Sequence, residues 1–200
     1  MAITTVPDAR RHAIGSALLR VVARDGLDGV SLRAVAAEAA TSLGMVQRQF
    51  ATKDEMLLFA LRLSGEMTGE RIRRVPFRGP VLSTLRRIVD ELLPLDEQRI
   101  TEARVYHAFV AKAATRADFA DVVEKQDRGF QEILVSVFAT AETEGEIAPG
   151  HDHAALARLF SSVLDGTSAA MLARPPGAPT ADITAGLDEL LRILQLPEPT

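Results

Sequence analysis

Hydrogen-bonding and basic side chains cluster between residues 41 and 53, a stretch that contains no acidic residue. Gln47 and Gln49 each present an amide that both donates and accepts, and such an amide can bind N6 and N7 of adenine together. Arg48 and Lys53 add positive charges that attract phosphate groups. These residue types favour nucleic-acid recognition, in which amides read base edges and cations hold the backbone.

Two helices are predicted upstream of this cluster. The first covers residues 8–24, and its buried stripe is expected to comprise Ala13, Ala17, Leu18, Val21 and Val22. A second helix begins at Leu32 after a cap at Ser31, and its apolar stripe is only about two turns long. A helix this short is not stable alone and has to pack on its neighbours.

A third helix carries the cluster itself. Thr41 and Ser42 offer its N-terminal cap, and Gly44 is expected to relieve crowding at the turn that precedes it. Val46 and Phe50 are expected to point inward, which leaves the other side chains of residues 41–49 outward. The three helices would then form a unit whose third helix is free to enter a DNA major groove.

Residues 40–55 resemble the recognition region of the TetR family of one-component transcriptional regulators. Residues 40–50 read Ala-Thr-Ser-Leu-Gly-Met-Val-Gln-Arg-Gln-Phe, where the family has approximately small-Val-Ser-Lys-Gly-Thr-Leu-Tyr-Arg-His-Phe before a linker and Lys-Glu. The two runs coincide at Ser42, Gly44, Arg48, Phe50 and Lys53. They differ most at Leu43, Gln47 and Gln49, where basic, tyrosine and histidine side chains are common. The resemblance is close over residues 8–60 and extends to the rest of the chain in helix layout.

The resemblance implies an all-α fold of about nine helices, with a helix-turn-helix DNA-binding domain at residues 1–52 and a ligand-binding and dimerisation domain at residues 53–200. The residues expected at the DNA are Ser31, Arg33, Thr41, Ser42, Leu43, Gly44, Met45, Gln47, Arg48, Gln49 and Lys53. Some of these also have an ordinary interpretation. Gln47 and Gln49 can be plain surface residues, Lys53 a solvated helix start, and Leu43 and Met45 packing residues. For Leu43 and Gln47 in particular, DNA contact stays an open question.

Charge is distributed unevenly along the chain. Residues 1–74 contain eleven Lys or Arg and eight Asp or Glu, whereas residues 75–200 contain twelve and nineteen. The overall net charge of −4 hides this difference. A basic N-terminal part fits a phosphate attraction that weakens with salt.

Apolar residues recur at helical spacing through the rest of the chain, and no alternating strands joined by hairpin turns compete with that pattern. Six further helices are predicted, at residues 53–75, 80–93, 96–114, 116–144, 152–174 and 181–196. The chain is therefore expected to be helical from end to end.

The last two predicted helices are amphipathic, so they cover either their own body or a partner. Members of the family that the chain resembles pair through these helices into a four-helix bundle, which implies a homodimer. The expected interface residues are Leu156, Phe160, Val163, Leu164, Ile183, Leu187, Leu190, Leu191 and Leu194. A two-fold dimer carries two heads, so its operator is expected to be a near-palindrome with half-sites about 34–36 Å apart.

Residues 92–134 resemble the choline-responsive BetI-like subset of the family, which implies a small-molecule effector without naming it. The expected lining residues are Phe59, Leu63, Met67, Glu102, Tyr106, Phe109, Val110, Phe130, Asp165 and Met171. Any of the apolar ones can equally be a core residue. Asp165 lies in a mostly apolar helix, where a carboxylate needs a partner such as Arg104, Arg158 or a cationic ligand.

Enzymatic and metal chemistry has little support. The chain has no cysteine and four histidines, and it contains no nucleophile elbow, phosphate loop or zinc-binding His-Glu-x-x-His helix. His151, Asp152 and His153 could touch a metal, but Asp152 before a helix is more simply its cap. No cofactor is therefore expected. Without a signal peptide or an apolar run long enough to span a membrane, the chain is expected in the cytoplasm.

The function expected from these features is that of a ligand-responsive DNA-binding regulator, most simply a repressor that a small molecule releases from its operator. The alternative is a helical adaptor that binds only proteins. An adaptor accounts for the amphipathic helices but leaves residues 42–53 without a role.

Overall fold

Helices make up most of the computed structural model, which describes residues 6–175 and 177–195. Those residues form α1 (Val6–Asp25), α2 (Leu32–Glu38), α3 (Leu43–Gln49), α4 (Lys53–Arg73), α5 (Val81–Leu92), α6 (Glu97–Ala113), α7 (Ala117–Thr143), α8 (His153–Leu172) and α9 (Ala181–Leu194). The expected all-α fold is confirmed. Both bounds were predicted for seven of the helices, and these lie within two residues of the observed ones, although the predicted last residue of the ninth helix, Leu196, lies outside the described residues. Within the same ranges, no helix is long and apolar enough to cross a membrane.

The described residues group into two compact units. The first comprises the residues up to Gly69 together with Thr101–Glu124, and the second comprises Glu70–Ile100 and the residues from Lys125 onward. The first unit thus includes α1 to α3, most of α4, most of α6 and the beginning of α7. The domain boundary after residue 52 stays a prediction.

The core of the first unit is built on α1. Ile14, Leu18, Val21 and Val22 are all buried there, at the i, i+4, i+7 and i+8 positions of one helix face. Ala13 is exposed, so its predicted burial is wrong. It lies one residue before Ile14 and therefore about 100° around the helix from it.

Gly15 sets how closely α1 and α4 approach each other. A Cβ atom at this position would lie 2.8 Å from both Leu63 Cδ2 and Phe59 Cε1. Packed carbon atoms are normally separated by about 3.5–4.0 Å. A side chain at residue 15 would therefore force these two residues of α4 to move away.

The second unit packs residues of α5, α7, α8 and α9 around a core of its own. Phe138 and Phe160 are fully buried in it and meet edge to face, with ring centroids 5.8 Å apart. This is a favoured arrangement for two aromatic rings. Leu187 and Leu191 attach α9 to the same core.

The first turn of α5 is capped by a residue from a distant part of the sequence. Pro80 precedes the helix and makes no side-chain capping hydrogen bond. Glu146, in the connection between α7 and α8, accepts the backbone N–H of Val81 at 2.6 Å and that of Leu82 at 2.9 Å. The carboxylate thus supplies both the acceptors and the negative charge that favour a helix N-terminus.

The His-Asp-His segment before α8 acts as a helix cap. Asp152 accepts the backbone N–H groups of Ala155 and Ala154, both at 3.0 Å, and these bonds lower the pKa of its carboxyl group. The ring of His153 meets the carboxylate of Glu142. The predicted cap at Asp152 is confirmed, and no cluster of metal-binding side chains occurs in the described part of the chain.

Candidate nucleic-acid interface

Serine side chains begin both short helices of the first unit. Ser31 Oγ accepts the backbone N–H of Ala34 at 3.0 Å at the start of α2, and Ser42 Oγ accepts that of Met45 at 3.2 Å at the start of α3. The predicted cap at Ser31 is confirmed, and of the two candidates before α3 it is Ser42 that acts as the cap. Each bond satisfies a backbone donor that has no partner inside its helix.

The turn between α2 and α3 is fixed by main-chain bonds. Thr41 N donates to Ala36 O at 2.9 Å and Ala40 N donates to Ala37 O at 3.1 Å, which is the Schellman pattern of a helix C-terminus. Ala40 occupies its left-handed position with a φ of +49°. The role predicted for Gly44 at this turn is wrong, because Gly44 lies inside α3 and no atom lies within 4 Å of where its Cβ would be.

Apolar anchors on one side of α3 leave a polar face on the other. Val46 and Phe50 are buried, with exposed fractions of 0% and 1%, as predicted. Among the other residues of 41–49, four are exposed, namely Ser42, Gly44, Gln47 and Arg48. The remaining four are half-buried, namely Thr41, Leu43, Met45 and Gln49. The outward face therefore combines hydrogen-bonding groups, small or apolar groups and a single guanidinium, without any carboxylate.

Lys53 begins α4 beside this face. Its side chain is exposed, and Nζ donates to the backbone carbonyl of Leu27 at 3.3 Å. Arg33 on α2 is also exposed. Among the residues that the structure describes, neither side chain has a carboxylate partner. Both cations are therefore available to phosphate. To bind a phosphate group, Lys53 would have to give up its hydrogen bond to the carbonyl of Leu27.

Three other arginines of the first unit are already paired with carboxylates. Glu38 binds Arg20 at 2.7 Å and Arg24 at 2.9 Å, and these two guanidinium groups hold the pKa of its carboxyl below the usual range. Arg11 binds Glu55 at 2.7 Å. These ion pairs leave the net charge unchanged, but they reduce the number of guanidinium groups that are available to phosphate.

Arg11 also ties α1 to the junction between α3 and α4. Its guanidinium carbon lies 4.7 Å from the ring centroid of Phe50 and 5.0 Å from that of Phe59. The same Glu55 that binds Arg11 accepts the backbone N–H of Ala51 at 2.8 Å. This network was not predicted from the sequence, where the pattern Thr-x-x-Glu at residues 52–55 is its available signal.

The connection between α6 and α7 lies against the start of α4. Arg116 Nη2 is 2.9 Å from Asp54 and 2.8 Å from Asp118, and these carboxylates raise the pKa of the guanidinium. Phe119 stacks on Phe109, with ring centroids 6.1 Å apart. Asp54, the direct neighbour of Lys53, is thereby joined to a connection more than sixty residues away in sequence.

The predicted effector residues fall into both units. Seven belong to the first unit, namely Phe59, Leu63, Met67, Glu102, Tyr106, Phe109 and Val110, and three to the second, namely Phe130, Asp165 and Met171. Leu63 and Phe109 are buried, Met171 is buried in the second core, and Met67 is 41% exposed. Phe59 meets the ring of Phe50 at 5.4 Å. Their role towards a ligand stays a prediction.

The predicted dimer residues also lie at different depths. Leu156, Phe160, Leu164, Leu187 and Leu191 are buried in the core of their own unit. Val163, Ile183, Leu190 and Leu194 are half-buried. The exposed residues of α8 and α9 include two large apolar ones, Leu159 at 51% and Ile193 at 66%. Neither of these two is among the nine expected interface residues.

Two family models match the chain. The model of bacterial regulatory proteins of the tetR family matches residues 14–59, and that of the C-terminal part of BetI-type transcriptional repressors matches residues 82–195. The chain belongs to the TetR family. It is accordingly a ligand-responsive DNA-binding transcriptional repressor and not an enzyme, and the regulators of this family act as dimers.

Individual relatives agree with this placement. PksA of Bacillus subtilis, an HTH-type transcriptional regulator, is 37% identical to this chain over 116 residues. The matched residues cover 57% of this chain and 56% of PksA, so the match spans about half the length of that relative. A transcriptional regulator from Rhodococcus is 32% identical, with a TM-score of 0.82 and coverage of 95% of this chain and 96% of that one. A regulator from Saccharomonospora viridis, solved with choline, has the same fold, with a TM-score of 0.84, 21% identity and coverage of 96% and 99%.

Proposed function

We propose that the outward face of α3 reads base edges in a near-palindromic operator, while Arg33, Arg48 and Lys53 hold phosphate groups. The observation that carries this proposal is the burial of Val46 and Phe50, because it fixes which side of α3 is turned outward. Gln47 and Gln49 are then the candidates for base contacts, since amides can pair with adenine. This activity would place the protein in the cytoplasm with the DNA.

We further propose that α8 and α9 pair with the same helices of a second chain. Gly166 on α8 has no atom within 4 Å of its missing Cβ, so a partner helix can approach there. Leu159 and Ile193 supply exposed apolar surface for such contact. A two-fold pair of this kind presents two copies of α3, which successive major grooves about 34–36 Å apart can receive.

Substitutions in the proposed interface should separate phosphate contacts from base contacts. Arg48→Ala and Lys53→Ala are each expected to weaken binding to every sequence by about tenfold and to lower the salt slope by about one. Gln49→Ala is expected to cost about 1–3 kcal/mol of preference at one base pair only. Binding of the purified protein to fragments that carry its operator and single-base variants, at several salt concentrations, measures both effects.

Arg104→Ala is the control for these variants, because it removes an exposed arginine of α6. It is expected to leave both the affinity and the salt slope unchanged. Equal, sequence-independent losses from Arg48→Ala, Lys53→Ala and Gln49→Ala would refute the proposed division between phosphate and base contacts. A complete lack of sequence preference would instead favour the protein-binding adaptor.

We also propose that the effector is a small organic cation that acts on the DNA-binding helices through α4. Glu102 and Tyr106 both lie on α6 within the first unit, and carboxylates and aromatic rings both attract cations. Choline, bound in the Saccharomonospora viridis regulator, belongs to this chemical class. The contact between Arg116 and Asp54 offers a route by which movement of α6 and α7 reaches the first turn of α4.

A screen of choline and other quaternary or hydrophobic amines is expected to find compounds that raise the melting temperature and release the operator. Arg116→Gln is expected to keep the rise in melting temperature and to lose most of the release, because it breaks the contact with Asp54. Thermal shift and operator binding are measured on the same samples. Stabilisation by anions alone would refute a cationic effector, and full release from Arg116→Gln would refute the route.

A further inference from the structure

Arginine is concentrated where α4 ends and α5 begins. Six arginines and one glutamate lie between residues 70 and 87. The remainder of the second unit is rich in acidic residues, so this segment is a positively charged stretch within an otherwise acidic unit. Arg73 and Arg78 are exposed and have no carboxylate within 4 Å among the residues that the structure describes.

Three of these arginines line a groove, which we call the Arg87 groove. Its volume is about 340 Å³, within the size range of small-molecule sites. It is lined by Arg71, Arg74, Val75, Pro76, Arg87, Asp90 and Glu91. All seven residues belong to the second unit.

The acidic residues of the groove are each balanced by an arginine. Glu91 lies 3.1 Å from Arg71 Nε, and Asp90 is bound by Arg86 from the preceding turn of the same helix. The remaining two cations of the lining are Arg74 and Arg87. Arg74 reaches only Glu70, at 3.7 Å, with 80% of its side chain exposed.

Arg87 has neutral partners only. Its Nη2 donates to Thr84 Oγ1 at 2.7 Å and to the backbone carbonyls of Arg78 at 2.5 Å and Pro76 at 3.3 Å. Its Nε is buried and has no hydrogen-bond acceptor within the described residues. Carbonyl and hydroxyl oxygens hold the guanidinium in place without cancelling its charge, so an anion in the groove would gain more here than at a solvated arginine.

A phosphoryl group fits these features better than a single carboxylate does. It carries about two negative charges and three acceptor oxygens. These can bind the guanidinium of Arg87, whose partners are neutral, and that of Arg74, whose one carboxylate partner lies 3.7 Å away. We propose that the Arg87 groove binds a small molecule through a phosphoryl group, as a site separate from both the DNA-binding face and the cationic effector. Arg87 and Arg74 would hold the phosphoryl oxygens.

Inorganic phosphate is the probe for this site. The midpoint of thermal unfolding of the full chain is followed against phosphate concentration, with chloride holding the ionic strength constant and succinate as a dicarboxylate comparison. Phosphate is expected to raise the midpoint above the chloride value. Arg74→Gln and Arg87→Gln are each expected to require about tenfold more phosphate for the same rise.

Two variants guard against misfolding and general charge effects. Arg74→Gln changes an exposed side chain, so it tests the site even if Arg87→Gln loosens the backbone at residues 76–78. Arg62→Gln removes an exposed arginine earlier in α4 and is expected to bind phosphate as the unchanged chain does. Equal responses from all variants, no rise beyond chloride, or a stronger rise with succinate would overturn the proposal. So would a lower salt slope for operator binding in Arg74→Gln without any change in its phosphate response, because the groove would then contact DNA.

Discussion

Replacing Phe50 by alanine is expected to reduce the free energy of unfolding of the first unit by about 3–5 kcal/mol and to remove operator binding. The ring is 1% exposed and lies where α3 ends. Arg11 and Phe59 both contact it. Alanine would leave a cavity at that point and take away the ring against which the guanidinium of Arg11 packs.

Tyrosine fluorescence offers a selective measurement of this loss. The chain has one tyrosine and no tryptophan, and Tyr106 belongs to the first unit. Urea unfolding followed by this signal is expected to shift to much lower denaturant for Phe50→Ala. Phe77→Ala removes the same ring from a position that is 66% exposed, and its effect is expected to stay within about 0.5 kcal/mol. Similar shifts for both variants would contradict the role assigned to Phe50.

Replacing Glu146 by glutamine is expected to destabilise the second unit by about 1.5–3 kcal/mol. The carboxylate accepts two backbone N–H groups at the start of α5, and hydrogen bonds to a charged group are worth about that much. Glutamine can accept one of these N–H groups through its single oxygen. Its NH₂ group would then face the other backbone N–H, and two donors cannot form a hydrogen bond. The loss is larger than for an ordinary cap because Pro80 supplies no side-chain substitute.

Amide hydrogen exchange localises this effect. The backbone N–H groups of Val81 and Leu82 are expected to exchange faster in Glu146→Gln, and the urea midpoint of the second unit is expected to fall. Glu144→Gln is the matched control, since Glu144 is exposed two residues earlier and should change neither quantity. Unchanged protection at Val81 and Leu82 in Glu146→Gln would show that the cap does not hold the helix.

Local sequence signals predicted most of the fold. Ser31, Ser42 and Asp152 were each expected to cap a helix, and each does so. These predictions succeeded because a cap joins residues only two or three apart. The burial of Val46 and Phe50 followed from helical spacing in the same way.

Features that depend on distant residues were not predictable from such signals. Glu146 caps a helix that begins 65 residues earlier in the chain, and Arg116 pairs with Asp54 across 62 residues. No periodicity or short motif encodes those pairings. Gly15 was missed for the same reason, because its importance comes from two side chains of α4.

The main-chain turn at Ala40 has a consequence for engineering. Two backbone hydrogen bonds fix the path from α2 into α3, while Val46 and Phe50 anchor the helix from within. The angle at which α3 is presented is therefore set by the turn and the two buried anchors, whereas Gln47 and Arg48 are exposed. On the proposed division of contacts, a library that varies Gln47, Arg48 and Gln49 together is expected to yield new target sequences on the same scaffold.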